Sequence, residues 1–286
     1  MIRSEALNGV KLSFIGCGAM GEAIIAGLLK KNLVKPHQVV GSHPRHDRRE
    51  DLQSKYGIRL FESNREAVAF GHPANEDGQK SSIVMLTVKP QRIGAILREL
   101  REAVQKDQLV ISIVAGTRTE TIAEDLQHRA IVRAMPNTPA QIGEGMTVWT
   151  ATPEVNETQL AQIQAIFGAL GRELHAEEER MIDMATALSA TGPTYTFLVM
   201  EALIDAGVHM GFSRHVAQEL VLQTMLGSVL FARESGKHPA ELRNMVTSPG
   251  GTSAEAIYQM EKGGLRTVLS KAIWAAFQRA TALGKK

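Results

Sequence analysis

Val246-Thr247-Ser248-Pro249-Gly250-Gly251-Thr252-Ser253 gathers four hydroxyls, a proline and two glycines directly before the helical run Ala254-Glu255-Ala256-Ile257. Proline fixes φ, glycine frees the backbone, and Ser or Thr suits the start of a helix. The first N–H groups of a helix lack partners within it, so such a start can hold a small anion, a carboxylate or a phosphate. Capping alone needs one hydroxyl. We therefore expect Ser248, Gly250, Gly251, Thr252 and Ser253 to form a ligand loop.

A second stretch with chemistry is Gly16-Cys17-Gly18-Ala19-Met20-Gly21. It follows a buried strand pattern, Val10–Ile15, and precedes the apolar helical run Ala23–Leu29. That context turns a GxGxxG match into a dinucleotide-binding expectation. Gly16 would permit the tight turn, Gly18 the approach of a pyrophosphate, and Gly21 close helix–strand packing. Cys17 has no His or Asp beside it and reads as a small filler. The next strand, Gln38–Gly41, ends without the acid that holds the ribose hydroxyls of NAD. In the run Ser42-His43-Pro44-Arg45-His46-Asp47-Arg48-Arg49, Ser42 and Arg45 could instead take a 2′-phosphate, which favours NADPH over NADH. The competing reading is a solvated basic turn.

These loops need a scaffold that brings strand ends together. Ser82–Val88, Leu109–Val114 and Ala130–Met135 are further buried strand patterns, ending in Lys89-Pro90-Gln91, Ala115-Gly116 and Pro136-Asn137-Thr138-Pro139. In a doubly wound sheet those ends line the ligand edge, and Ala115-Gly116 are small enough to let a flat ring lie against the backbone. Thr147–Trp149 and Arg172–Leu174 suggest edge strands around a helix at Glu157–Phe167. Ser63–Val68 reads as a short capped helix, and Gly71–Lys80 as an exposed loop. Beyond Leu174 the apolar spacing becomes helical throughout, as in Leu222, Met225, Leu226, Val229 and Leu230. The expected class is α/β: an N-terminal Rossmann-type, mostly parallel sheet domain at 1–174, then an all-helical domain at 175–286. So much apolar helix surface suggests that two chains pack together.

Bulk properties narrow the rest. The chain has 286 residues, a net charge of +2 and 44% hydrophobic residues. That charge is too small to argue for nucleic acid or a membrane surface. No apolar run approaches the roughly 18 residues that span a bilayer. One cysteine permits no intrachain disulfide, and the N-terminus lacks a signal-peptide pattern, so a cytoplasmic protein is expected. His175, His209, His215 and His238 have no spacing to acids or cysteine that suggests a metal.

Together the motifs resemble the pyrroline-5-carboxylate reductase family from end to end. The resemblance rests on Phe14–Gly21, Val88-Lys89-Pro90-Gln91, Met135–Pro139, Gly192-Pro193 with Tyr195, Glu201–Gly207, Gln223-Thr224, His238-Pro239 and above all Val246–Ser253. It implies NADPH-dependent reduction of the cyclic imine 1-pyrroline-5-carboxylate to L-proline. It also implies a helical domain that builds a homodimer, which some members assemble into larger rings. The implied cofactor residues are Gly16–Gly21, Ser42 with its basic neighbours, Val88, Lys89, Pro90, Ala115 and Gly116. Asn137 is placed to reach the nicotinamide carboxamide. Gly250, Gly251, Thr252 and Ser253 would grip the substrate carboxylate, with Ser253 hydrogen-bonding the imine nitrogen or relaying its proton. The chain departs from the family pattern at Ser253, where threonine is usual, at Ala190, at Thr194, in the glycine turn at Cys17 and Ala19, and in a long 71–80 loop. Three alternatives remain: a reductase of another cyclic imino acid, a β-hydroxyacid dehydrogenase-like enzyme, and a non-catalytic NADP-binding relative. The second normally needs a Lys on the interdomain helix, and Arg180 to Val208 contains no Lys and no His.

Overall fold

Apolar runs with residues on both faces become strands when helices cover both sides, and this chain alternates such runs with amphipathic helices. A computed structural model describes residues 5–72 and 82–284. In order these give β1 (Lys11–Ile15), α1 (Ala19–Lys30), β2 (Val39–Ser42), α2 (His46–Tyr56), β3 (Arg59–Phe61) and α3 (Asn64–Gly71). Then follow β4 (Ser82–Leu86), α4 (Ile93–Leu100), β5 (Leu109–Ser112), α5 (Thr119–Leu126), β6 (Ile131–Met135) and β7 (Gly145–Ala151). The sheet region closes with α6 (Glu157–Gly168), β8 (Gly171–His175) and α7 (Arg180–Ala185). Five helices complete the chain: α8 (Gly192–His209), α9 (Arg214–Ser235), α10 (Pro239–Met245), α11 (Thr252–Lys262) and α12 (Leu265–Leu283).

The strands form one sheet in the order β3-β2-β1-β4-β5-β6-β7-β8. All neighbours are parallel except β6 and β7. Chain order therefore reverses between β1 and β4, the point where doubly wound sheets bind ligands. Alternate residues feed two separate cores. Leu12, Phe14, Ile83, Met85 and Ile111 join Ile24 and Leu28 of α1 on one face. Ile15, Val84, Leu86 and Val110 join Ile96, Leu97 and Leu100 of α4 on the other. Burial on both faces explains why these strands read as continuous apolar runs.

The expected strands form, with two adjustments. β3 has no counterpart among the expected strands, because three residues with one buried apolar side chain, Leu60, carry no periodic signal. The Thr147–Trp149 strand lies inside the sheet rather than at its edge, and β8 is the edge. Ser63 caps α3 by accepting the Glu66 N–H at 3.3 Å. Gly71 ends that helix against Ser13, and the rest of the expected 71–80 loop beyond His72 lies outside the described residues.

The chain separates into two units, Met1–Thr191 with Ala276–Lys286 and Gly192–Ala275. In the first, the end of α12 closes on Gly116. That glycine has φ +76°, and a Cβ there would lie 2.6 Å from the Leu283 Cβ. In the second, α8 and α9 meet where a Cβ on Gly207 would come within 2.9 Å of the Ala217 Cβ. Among the described residues of this helical unit, Gly207 and Ala217 alone are buried. No described helix is long and apolar enough to cross a membrane.

Candidate active site

The glycine turn sits at the end of β1, across from the end of β4, since Ile15 pairs with Leu86. Gly16 has φ +86°, and any Cβ there would strike Val88. A side chain on Gly21 would lie 2.9 Å from the Thr87 Oγ1, so its absence lets α1 approach the sheet. Gly18 meets nothing within 4 Å and begins α1 without a side-chain cap. The first helical bond there is from the Glu22 N–H to the Gly18 carbonyl, at 2.9 Å. The N–H groups of Ala19, Met20 and Gly21 precede it and are left for an anion. The turn thus fits a dinucleotide pyrophosphate. Cys17 points the other way. It is fully buried against Gly41, and burial pushes its thiol up to about 12, so it fills space and is no nucleophile.

At the end of β2 the basic run sorts into committed and available groups. Ser42 is buried and donates its hydroxyl to the Asn64 Oδ1 at 2.7 Å, so it can offer a ligand only an acceptor as it stands. Arg48 binds Glu22 and Asp51, and Arg49 donates to the His43 and Pro44 carbonyls and pairs with Glu62 at 3.1 Å. His43 has its pKa pushed down by burial, and its Nδ1 accepts the Arg45 N–H at 3.2 Å. Arg45 itself stays exposed, held only to its near neighbour Asp47 at 3.0 Å. Of these guanidinium groups, Arg45 is the one free to meet a 2′-phosphate.

Further along the same edge, Val88 packs over Gly16, Lys89 is exposed and Pro90 starts a short 3₁₀ turn. Ala115 is half-buried beside the cluster of Met135, Val148, Ala176 and Ile182. The small size of Gly116 serves the end of α12, not a flat ring, because Leu283 and Gly284 occupy the space over its Cα. Asn137 is likewise occupied. Its Oδ1 accepts the Met146 N–H at 2.9 Å, and its Nδ2 donates to the Ser189 carbonyl at 3.3 Å. Both ends of the amide are engaged, so the side chain ties the loop after β6 to the segment after α7 instead of offering itself to a carboxamide. Ala190 also joins the small cluster around Met135, which accommodates its methyl.

In the helical unit the Val246–Ser253 stretch links α10 to α11. Gly250 takes φ +70° with nothing within 4 Å of a Cβ position, and Gly251 is the N-cap of α11. A Cβ on Gly251 would strike the Ser248 Oγ, so a side chain there would force that hydroxyl to turn away. The Gly251 N–H bonds the Ser248 carbonyl at 3.0 Å, and the Ala254 N–H bonds the Gly251 carbonyl at 3.1 Å. Between them the N–H groups of Thr252 and Ser253 have no partner within the described chain, nor do the hydroxyls of Ser248, Thr252 and Ser253. Thr247 is the exception, since its hydroxyl donates to the Arg243 carbonyl at 2.6 Å. The loop offers donors and no negative side chain, which is the chemistry of a carboxylate grip.

Two residues near the turn were not singled out from the sequence. Glu22, one turn into α1, accepts Arg48, Lys55 at 2.8 Å and the Tyr56 hydroxyl at 2.8 Å. Burial raises its pKa, but these three hydrogen bonds outweigh that and hold it at about 2. Thr87 hydrogen-bonds the Gly16 carbonyl. Both contacts join segments dozens of residues apart, and no local spacing announces them.

Comparison with known proteins identifies the family. Residues 179–283 match the family described as pyrroline-5-carboxylate reductase dimerisation, and residues 11–116 match that described as NADP oxidoreductase coenzyme F420-dependent. The chain is 39% identical over 277 residues to a pyrroline-5-carboxylate reductase of Synechocystis sp., covering 97% of this chain and 99% of the relative. It is 36% identical to that of Escherichia coli, covering 96% and 98%. The crystal structure of Plasmodium falciparum pyrroline carboxylate reductase with NADP bound superposes with a TM-score of 0.85 at 31% identity, covering 96% and 98%. At these identities over nearly the full length, the chain belongs to the pyrroline-5-carboxylate reductase family.

Proposed function

We propose that this chain reduces 1-pyrroline-5-carboxylate to L-proline, taking hydride from NADPH in preference to NADH. The observation that carries the reading is the Ser248–Ser253 helix start, whose unpaired N–H groups and hydroxyls suit a carboxylate, in a chain that also has a dinucleotide turn. When bound, the reduced nicotinamide supplies the hydride. A protonated imine is already electrophilic, so the protein chiefly binds, orients and excludes. Gly250, Gly251, Thr252 and Ser253 hold the ring through its carboxylate, and the Ser253 hydroxyl hydrogen-bonds the imine nitrogen or relays its proton through water. A serine hydroxyl at its ordinary pKa is a weak acid, which suits a substrate that brings its own proton. The turn Gly16–Gly21 receives the pyrophosphate, and Val88, Lys89, Pro90 and Ala115 continue the cofactor edge. Arg45 selects the 2′-phosphate.

Cofactor binding belongs to the sheet unit, substrate binding and dimerisation belong to the helices that follow it, and the working form is a homodimer. The single, buried cysteine accords with a reducing, cytoplasmic setting. The absence of Lys and His between Arg180 and Val208 disfavours a ketone or alcohol substrate, which would need a strong proton partner there.

The test follows NADPH and NADH oxidation with 1-pyrroline-5-carboxylate and with its six-membered homologue. Turnover of the five-membered ring with NADPH is expected, and no turnover with either ring overturns the reading. Gly250→Val forces a β-branched residue to φ +70° and should raise the imine KM more than about tenfold. An unchanged KM would remove the loop from carboxylate binding.

A further inference from the structure

We propose that Thr87 is a positioning residue for the cofactor: its hydroxyl fixes the peptide that sets the glycine turn. The proposal rests on the cofactor site read above and adds to it a residue outside the GxGxxG run. β1 and β4 are neighbours at the switch point, with Ile15 opposite Leu86, so the next residues, Gly16 and Thr87, face each other where the strands end. Thr87 is tied there by its own backbone, whose N–H bonds the Ile15 carbonyl at 2.9 Å. Its Oγ1 reaches the Gly16 carbonyl and, at 3.1 Å, the Ile15 carbonyl.

The peptide joining Gly16 to Cys17 is consequently held at both ends. Its oxygen receives the Thr87 hydroxyl, and its N–H, on Cys17, donates to the Ser42 carbonyl at 3.2 Å. The same oxygen accepts the Gly18 N–H at 2.8 Å, which places the first residue of the anion site directly downstream. Glycine at φ +86° has no side chain to hold this orientation, so the constraint must come from outside the turn. Thr87 supplies it from β4, and Val88 blocks the space a Gly16 side chain would need. Thr87 also bounds the helix: a Cβ on Gly21 would sit 2.9 Å from its Oγ1 and 3.4 Å from its Cβ. One side chain thus hydrogen-bonds the first glycine of the turn and fills the space a side chain on the last would need, at the start of the helix whose N–H groups form the anion site.

Thr87→Val keeps the shape and removes the donor, while Thr87→Ser keeps the donor and removes a methyl. Loss of one such hydrogen bond should raise the KM for NADPH about three- to tenfold. The KM for NADH should rise by the same factor, because the turn meets the part common to both cofactors. kcat and the imine KM should stay within about twofold of the unmodified enzyme, and Thr87→Ser should restore the cofactor KM. Arg45→Ala, by contrast, should raise the NADPH KM alone. A purely structural Thr87 would lower the melting temperature of Thr87→Val without moving the cofactor KM, and that result overturns the proposal. So does Thr87→Ser behaving like Thr87→Val. If Thr87→Val does not fold, Thr87→Ala makes the same comparison without the added methyl. Failure of the unmodified enzyme to bind either nucleotide in a direct titration would instead sink the cofactor site itself.

Discussion

Phe14, Ile24, Phe167 and Trp149 of the sheet unit are at most 1% exposed, whereas Phe197, Leu226, Val229 and Trp274 of the helical unit are 55–65% exposed. Both sets are large apolar side chains of regular elements. The difference is where their partners lie. A sheet covered on both faces finds its partners within one chain, and each strand feeds two cores. Helices α8 to α11 bury one alanine side chain and one glycine among the described residues, far too little to offset the entropy of ordering them. Exposed apolar patches on this scale mark a protein–protein interface, and a second copy of the chain is the occupant that the dimerisation match supports. The lesson is that helical amphipathicity reports how much surface must be covered, but not by which chain.

The strongest way to break that comparison is to charge the helical face. Leu226→Glu with Val229→Glu places two carboxylates one turn apart on α9; sedimentation should show loss of the dimer at micromolar concentration, with activity falling in parallel. A dimer that survives would mean the apolar face of α9 is covered in some other way. Ile142, 75% exposed in the sheet unit, is the control, and Ile142→Glu should leave assembly unchanged. Next in size, Phe167→Ala in the sheet core should cost about 3–5 kcal/mol whether or not the dimer forms. Chemical denaturation of the dissociated variant provides the reading.

A smaller effect sharpens the comparison from the side of charge. Glu22 is held near pKa 2 in the fold, below its ordinary 4.5. A depressed carboxylate stabilises the fold above the unfolded value, and that stability is lost as pH falls from about 4.5 towards 2. Glu22→Gln should therefore weaken the sheet unit at pH 7 and flatten its loss of melting temperature over that acid range. An unaltered acid profile would show that the Arg48, Lys55 and Tyr56 contacts contribute nothing to folding.

Much of this architecture was legible because its signals are local. Strand runs, the GxGxxG turn and the Ser63 cap each occupy a few adjacent residues, and the helix start at Thr252 announces itself through Pro249-Gly250-Gly251. What stayed hidden depends on partners remote in sequence. Gly116 looked like room for a ligand until Leu283 was seen beside it, and Asn137 looked available until Met146 and Ser189 took both ends of its amide. The run after β2 showed several bases without showing that Glu22 and Glu62 had claimed Arg48 and Arg49, leaving Arg45. Composition told that bases were present; only the tertiary pairing told which was free.

The docking of Leu283 against Gly116 has a consequence for synthesis. The sheet unit is discontinuous, since it takes in Ala276 onwards after the chain has passed through Gly192–Ala275. On the ribosome, where N-terminal regions emerge and fold first, the eight strands are complete long before the segment that closes over β5. The apolar helices appear in that interval. Each sheet unit therefore lacks its last piece through that whole interval, and the segment that closes it is the last to join.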